Sequence, residues 1–381
     1  MAVRWPEGFR SAGVHAGIKK DGALDLGMIL CARPAVWAGT FTKNAAAAAC
    51  VGWSRGRLGT PLRAVVVNSG NANACTGNPG REAVTRTAEA VAAAIGCKPE
   101  EIGIASTGPI GVPLDVSPVV AAIPQALAGL DDDVESFASS IMTTDTRIKV
   151  AEARAGGARV VGVAKGAAML APNMATMLAF LATDAGIAGA ELQEVLDRSV
   201  ARSFDRISVD ACESTNDSVF CLASGLVDVS RDDLSGAVES VCTSLARAMV
   251  EDAEGASKVV AIRVLGATSE EGAVSLGRAA ASSTLWRAAA HGSDPNWGRI
   301  LAALGSVDRS IDLHGVDLAI AGVTVFRGGE PVEGALSGAA EGMAAGEFEV
   351  VCTVGAGPGT ATILTSDLSP DYVKLNAEGS T

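Results

Sequence analysis

Thr176, in the stretch MLAPNMATML (169–178), is a residue whose type and setting could make it a nucleophile. A threonine hydroxyl alone is a weak one. An N-terminal threonine, however, carries its own general base, because an α-amine titrates near about 7.7–8.0, close to working pH. An internal threonine acquires that amine only if the bond before it is cut. Ala175 leaves room on the far side of that bond, and Pro172 with Asn173 interrupts a run in which five of ten residues are Met or Leu. Composition alone reads the same stretch as a buried strand with Thr176 in its core.

Other chemistry is limited by supply. The chain has only three histidines, His15, His291 and His314. His291 lies in HGSDPNWGR with Ser293 and Asp294 close by, but triad members meet in space rather than in sequence, and a structured polar loop is the better reading. Eight cysteines show no C-x-x-C pair and no histidine at zinc spacing, so free buried thiols are expected and neither metal nor cofactor is implied. GAGPGT (355–360) follows a strand without a helix beginning after it, which favours a tight turn over a phosphate loop. NSGNANACTG (68–77) reads equally as a binding loop or as turns.

These residues need a frame, and the composition indicates its kind. The 381 residues are 48% hydrophobic and 4% aromatic, with 44 glycines, so a large core of small aliphatic side chains is expected, in one domain or two. Helical spacing occupies 192–204 and 234–249, and 81–96 ends at Gly96 as a helix stop. Strands are expected at 64–67, 159–163, 218–223, 258–264, 323–326 and 348–354. Ala45–Ala49 reads as a packed element. This mixture argues for sheets covered by helices. A net charge of −13 without a basic run disfavours nucleic acid as a partner. The interrupted apolar stretch 167–190 and the N-terminus lacking an apolar core suggest neither membrane span nor secretion signal, hence a cytoplasmic protein.

KGAAMLAPNMATMLAFLATDA (165–185) resembles the self-cleavage motif of the ornithine acetyltransferase family, the bifunctional glutamate N-acetyltransferases of arginine biosynthesis. The likeness extends over the chain: GFRSAGVHAGIKKDGALDL near the start, VVVNSGNANACTGNPG (65–80), STGPIGVPL (106–114), MTTDT (142–146), EDAEGASK (251–258), DPNWGRI (294–300) and DYVKLNAEGST at the end occur in the family's order. The resemblance implies a layered αββα-type α/β sandwich of two sheets between helical layers, similar to the Ntn hydrolases. It also implies self-cleavage between Ala175 and Thr176 into 1–175 and 176–381, which stay associated as an α2β2 heterotetramer. Thr176 would take acetyl from N2-acetylornithine and pass it to glutamate, with acetyl-CoA as a further candidate donor. Thr107 and Gly108 match the oxyanion hole, while Thr143, Thr144, Lys165, Thr176, Glu254, Asn376 and Thr381 match substrate-binding positions. Lys165 and Glu254 suit an amino-acid substrate, which carries both carboxylates and an ammonium. The alternative is a related Thr-nucleophile aminopeptidase or amidohydrolase, in which water takes the acyl group.

The chain departs from the family pattern in DACESTND (210–217), where Ala211 replaces Gly and Cys212 replaces Asp, and at Gly379, where Tyr is usual. Ala211 and Cys212 are therefore expected to bear on substrate choice.

Overall fold

The computed structural model describes residues 3–170 and 177–378, which divide into two compact units, the first built from residues 3–170, 177–205 and 212–249, the second from 206–211 and 250–378. The first contains an eight-stranded sheet. Its strands are β1 (Phe9–Val14), β2 (Leu26–Phe41), β3 (Leu62–Ser69), β4 (Ile102–Thr107), β5 (Lys149–Ala155), β6 (Ala158–Lys165), β7 (Leu178–Gly186) and β9 (Ser218–Asp228), in the order β4-β3-β2-β9-β7-β6-β5, with β1 also on β2. β2 changes partner along its length: Leu26–Leu30 face β1 and β3, and Val36–Phe41 face β9. Helices Ala49–Arg55 and Gly77–Ile95 lie against β4, Glu135–Ser140 against β1 and β2, and Gly189–Arg202 against β2.

Five aromatic residues form one run in this unit. Trp37, Phe220, Phe180, Phe137 and Trp5 follow one another ring on ring, at centroid separations of 5.4, 5.5, 5.2 and 6.0 Å. Such pairs add to the hydrophobic gain of burial. They tie β2, β9 and β7 together.

The second unit holds a seven-stranded sheet: β8 (Ile207–Ser208), β10 (Val259–Ala267), β11 (Asp317–Ile320), β12 (Val323–Arg327), β13 (Glu330–Pro331), β14 (Glu347–Thr353) and β15 (Gly359–Ser366), ordered β13-β12-β11-β14-β10-β15-β8. Helix Glu270–Ala281 covers β10 and β15, and Ala335–Met343 covers β12. The expected α/β class, with two sheets and covering helices, is the observed one. Among the described residues no helix is long and apolar enough to cross a membrane.

The expected elements are all present, with shifted ends. Helix 81–96 begins four residues earlier and stops where expected, at Gly96, which takes φ 70° and returns its N–H to Ala92 O. The 192–204 periodicity belongs to Gly189–Arg202, with Phe204 in a following 3-10 turn. Ala45–Ala49 packs in its later part: Ala45 and Ala46 are an exposed turn, whereas Ala47, Ala48 and Ala49 lie against the core and lead into helix Ala49–Arg55. GAGPGT is the turn between β14 and β15.

Ala211 occupies the left-handed region at φ 60°. That costs a residue with a Cβ about 1–2 kcal/mol, whereas glycine gives back about 0.4–1 kcal/mol through the freer unfolded chain. A211G is therefore expected to stabilise the protein by about 0.5–1 kcal/mol, read as a higher denaturant midpoint. A midpoint that does not move would show that the position carries no such strain.

Candidate active site

Two strand ends of the first unit converge on one hydrogen bond. Thr107 closes β4 and Lys165 closes β6, and the Lys165 Nζ donates to Thr107 Oγ1 at 3.1 Å with both side chains buried. The β6–β7 register sets Lys165 opposite Leu178, two residues past Thr176. Burial lowers the Lys165 pKa, opposed by the charges of Asp145 and Asp217 and assisted by that of Lys149. Since the ammonium uses the oxygen of Thr107 as acceptor, the hydroxyl proton of Thr107 remains available to donate. An oxyanion-hole donor needs that orientation.

A buried carboxylate supports this pair. Asp145 binds the Lys149 ammonium at 2.6 Å and the Gly166 N–H at 2.7 Å through Oδ1, and the Thr143 N–H at 3.0 Å through Oδ2. Burial would raise its pKa, but Lys165, Lys149 and the Gly166 N–H outweigh that and hold it below the usual carboxylate range. Thr143 and Thr144 lie half-buried in the same turn.

The loop 68–77 serves the Thr107 end of β4. Its Asn71 N–H donates to Thr107 O and its Ala72 N–H to Pro109 O, at 3.0 and 3.1 Å. Asn216 joins the two segments, its Nδ2 donating to Ala72 O at 2.7 Å and to Ser106 O at 2.8 Å. Gly108 has φ 136°, and a Cβ there would meet Asn71 N at 2.4 Å, so only glycine allows this approach. The loop thus forms turns that help hold the Thr107 end of β4.

Asp217, directly before β9, is fully buried, and its Oδ1 accepts the Met177 N–H at 2.9 Å. Oδ2 makes no hydrogen bond among the described residues. Burial, helped by Glu213, pushes its pKa well up against the opposing effects of the Met177 N–H, the Ser214 hydroxyl and Lys165.

In the second unit, Asn376 Nδ2 donates to Glu254 Oε2 at 2.8 Å. Glu254 is buried, and its Oε1 has no hydrogen bond among the described residues. Gly255, at φ 63°, passes so close to the backbone of Tyr372 that a Cβ would lie 2.4 Å from its nitrogen. The structure thus brings Thr107 together with Lys165, and Glu254 together with Asn376. Ala175, Thr176 and Thr381 lie outside the described residues.

The sequence reading did not single out Asp145, Lys149, Asn216 or Asp217. Asp217 carried one signal, a carboxylate directly before the apolar run SVFCLA. His291 is not in a loop but ends helix Thr284–His291, with Nδ1 2.7 Å from Asp367 Oδ2. Ser257 Oγ donates to that same oxygen at 2.6 Å and lies 3.4 Å from the same Nδ1, so serine and carboxylate meet one ring nitrogen rather than opposite ones and do not make the relay of a triad. Five cysteines are buried, with burial raising Cys31 to about 12 and Cys50 to about 11. Cys75 and Cys212 are exposed and Cys97 is half-buried, which corrects the expectation for those three. Among the described residues no group of three or more His, Cys, Asp or Glu side chains could hold a metal ion.

The ArgJ family model matches residues 10–381. The chain belongs to the ArgJ family. An "Arginine biosynthesis bifunctional protein ArgJ" of Thermus thermophilus is 45% identical over 99% of both chains, and its counterpart in Thermobifida fusca is 41% identical over the whole of both. A crystal structure of the protein of that name from Bacillus halodurans is 31% identical, covering 52% of this chain and 98% of its own, with a TM-score of 0.51.

Proposed function

We propose that this ArgJ-family chain cuts itself between Ala175 and Thr176 and then moves acetyl from N2-acetylornithine to glutamate through an acetyl-Thr176 ester. Family membership makes it a bifunctional enzyme of arginine biosynthesis, an ornithine acetyltransferase. The observation that carries the acyl-Thr176 reading is the Lys165–Thr107 hydrogen bond, made from the end of β6, where Lys165 stands in register with Leu178. In this reading the α-amine of Thr176 takes the proton of its own hydroxyl as Oγ attacks the acetyl carbonyl. Thr107 and the Gly108 N–H stabilise the oxyanion, and the tetrahedral adduct collapses by expelling the α-amino group of ornithine, which takes the proton back. The α-amine of glutamate then attacks the ester by the reverse path.

Several features support the remaining parts. Fragments 1–175 and 176–381 would remain joined without the cut bond, since β7 and β9 from the second fragment pair with β6 and β2 from the first. Lys165 supplies a cation for a substrate carboxylate. Glu254 keeps one oxygen without a partner among the described residues, as an anion assigned to a substrate ammonium would. Thr143, Thr144, Asn376 and Thr381 complete the proposed contacts. An α2β2 assembly in the cytoplasm, and acetyl-CoA as an additional donor, belong to the same proposal.

Incubating the cut protein with N2-acetylornithine alone should add one acetyl group to fragment 176–381, and glutamate should remove it. Double-reciprocal plots should then be parallel. Intersecting lines with no acetylated fragment would overturn the reading, and release of free acetate without glutamate would point to the hydrolase.

A further inference from the structure

Asp217 has no part in the steps above, yet it is a fully buried carboxyl group with a single side-chain hydrogen bond among the described residues, to the Met177 N–H. Burying a carboxyl group so sparsely satisfied is costly, and a side chain serving packing alone would be apolar. The bond it makes has a particular consequence. The Met177 N–H belongs to the peptide unit whose carbonyl is that of Thr176, and a peptide unit is planar from one Cα to the next. Fixing this N–H therefore holds the nitrogen end of the peptide unit by which Met177 is joined to the residue before it. Met177 is held from its other side too, where its carbonyl accepts the Ser218 N–H at 3.2 Å.

The anchor itself is rigid. Asp217 lies between Asn216, which binds Ala72 and Ser106, and Ser218, which pairs with Leu178 in the parallel β7–β9 ladder. Its carbonyl accepts the Thr42 N–H at 3.0 Å. Lys165, whose amine reaches Thr107, acts electrostatically on the same carboxyl group. One connected network thus holds the oxyanion strand end and the first peptide unit after the proposed cut.

We propose that Asp217 is the positioning residue that keeps Thr176 in reacting geometry once the bond before it is broken. The proposal rests on Thr176 being the acyl carrier. Before the cut, the chain restrains Thr176 from both sides; afterwards Thr176 is a terminus, and termini fray unless they are tied down. A displacement of about 1 Å at a reacting group can cost about 10²-fold in rate.

D217A removes the acceptor, whereas D217N keeps an oxygen of the same reach for the Met177 N–H. The amount of active enzyme is counted as the fraction of fragment 176–381 that N2-acetylornithine acetylates, so rates refer to competent molecules only. On that basis D217A should lower kcat about 10²-fold with KM changed less than about threefold, and D217N should stay within about tenfold of wild type. If D217A does not accumulate folded, D217S, whose hydroxyl is too short to reach, replaces it. Amide exchange on the wild type should show Met177 protected and on D217A exposed, a readout independent of the chemistry. A D217A rate equal to wild type per competent molecule, D217N as slow as D217A, or an unprotected Met177 in wild type would each overturn the proposal. Wild type that never becomes acetylated would instead overturn the acyl-Thr176 reading, while the exchange result would still report on the anchor.

Discussion

T176A is expected to yield one uncut chain of 381 residues without acetyltransferase activity. The cut, in the proposed route, begins with Thr176 Oγ attacking the Ala175 carbonyl; an N→O shift leaves an ester that water hydrolyses, and the α-amine is released. Alanine has no oxygen to begin that sequence and none to carry acetyl afterwards, so both activities go together. T176S keeps the oxygen and should still cut, more slowly, because without its γ-methyl the hydroxyl samples more rotamers. Denaturing mass spectrometry gives the chain lengths, and N-terminal sequencing of the larger fragment should begin Thr-Met-Leu. Wild-type protein that stays full-length yet transfers acetyl would refute the α-amine mechanism. T176A should fold, since β7 begins only at Leu178 and its ladders to β6 and β9 do not involve residue 176.

The parts of the fold legible in the sequence are those in which one residue pattern decides one structure. Helices Gly189–Arg202 and Arg231–Glu251 announce themselves by spacing, because one apolar stripe faces the core. β2 is hidden for the opposite reason. Its sixteen residues change partners midway, and Ala32, Arg33 and Pro34 are exposed at the change, so no single alternation runs through it. Thr107, Gly108 and Lys165 could be named from local motifs, but the hydrogen bond between Lys165 and Thr107 spans 58 positions and joins strands that are not neighbours in the sheet. Asp145 and Asp217 were missed on the same ground. An isolated Asp in sequence is read as a solvated charge by default, and only the buried ammonium of Lys149 or the Met177 N–H shows otherwise.

The Lys165–Thr107 contact makes a prediction that the motifs alone could not. T107V keeps the shape of the side chain but removes the donor, and losing one oxyanion donor costs about 10²–10³-fold in kcat with little change in KM. K165M leaves the Thr107 hydroxyl in place and removes the ammonium that occupies its oxygen. The hydroxyl is then able to turn, so kcat should fall here as well, beyond any rise in KM from a lost substrate carboxylate contact. Asp145 retains its ion pair with Lys149, so K165M does not leave that carboxylate without a buried cation. If Lys165 acts on the oxyanion through Thr107, the double variant T107V/K165M should have a kcat close to that of T107V alone, because once the hydroxyl is gone there is nothing left to orient. Independent roles would multiply instead, and groups that share one hydrogen bond are where such independence fails. A kcat for the double variant equal to the product of the two single effects would separate Lys165 from the oxyanion hole and leave it as a substrate-binding cation.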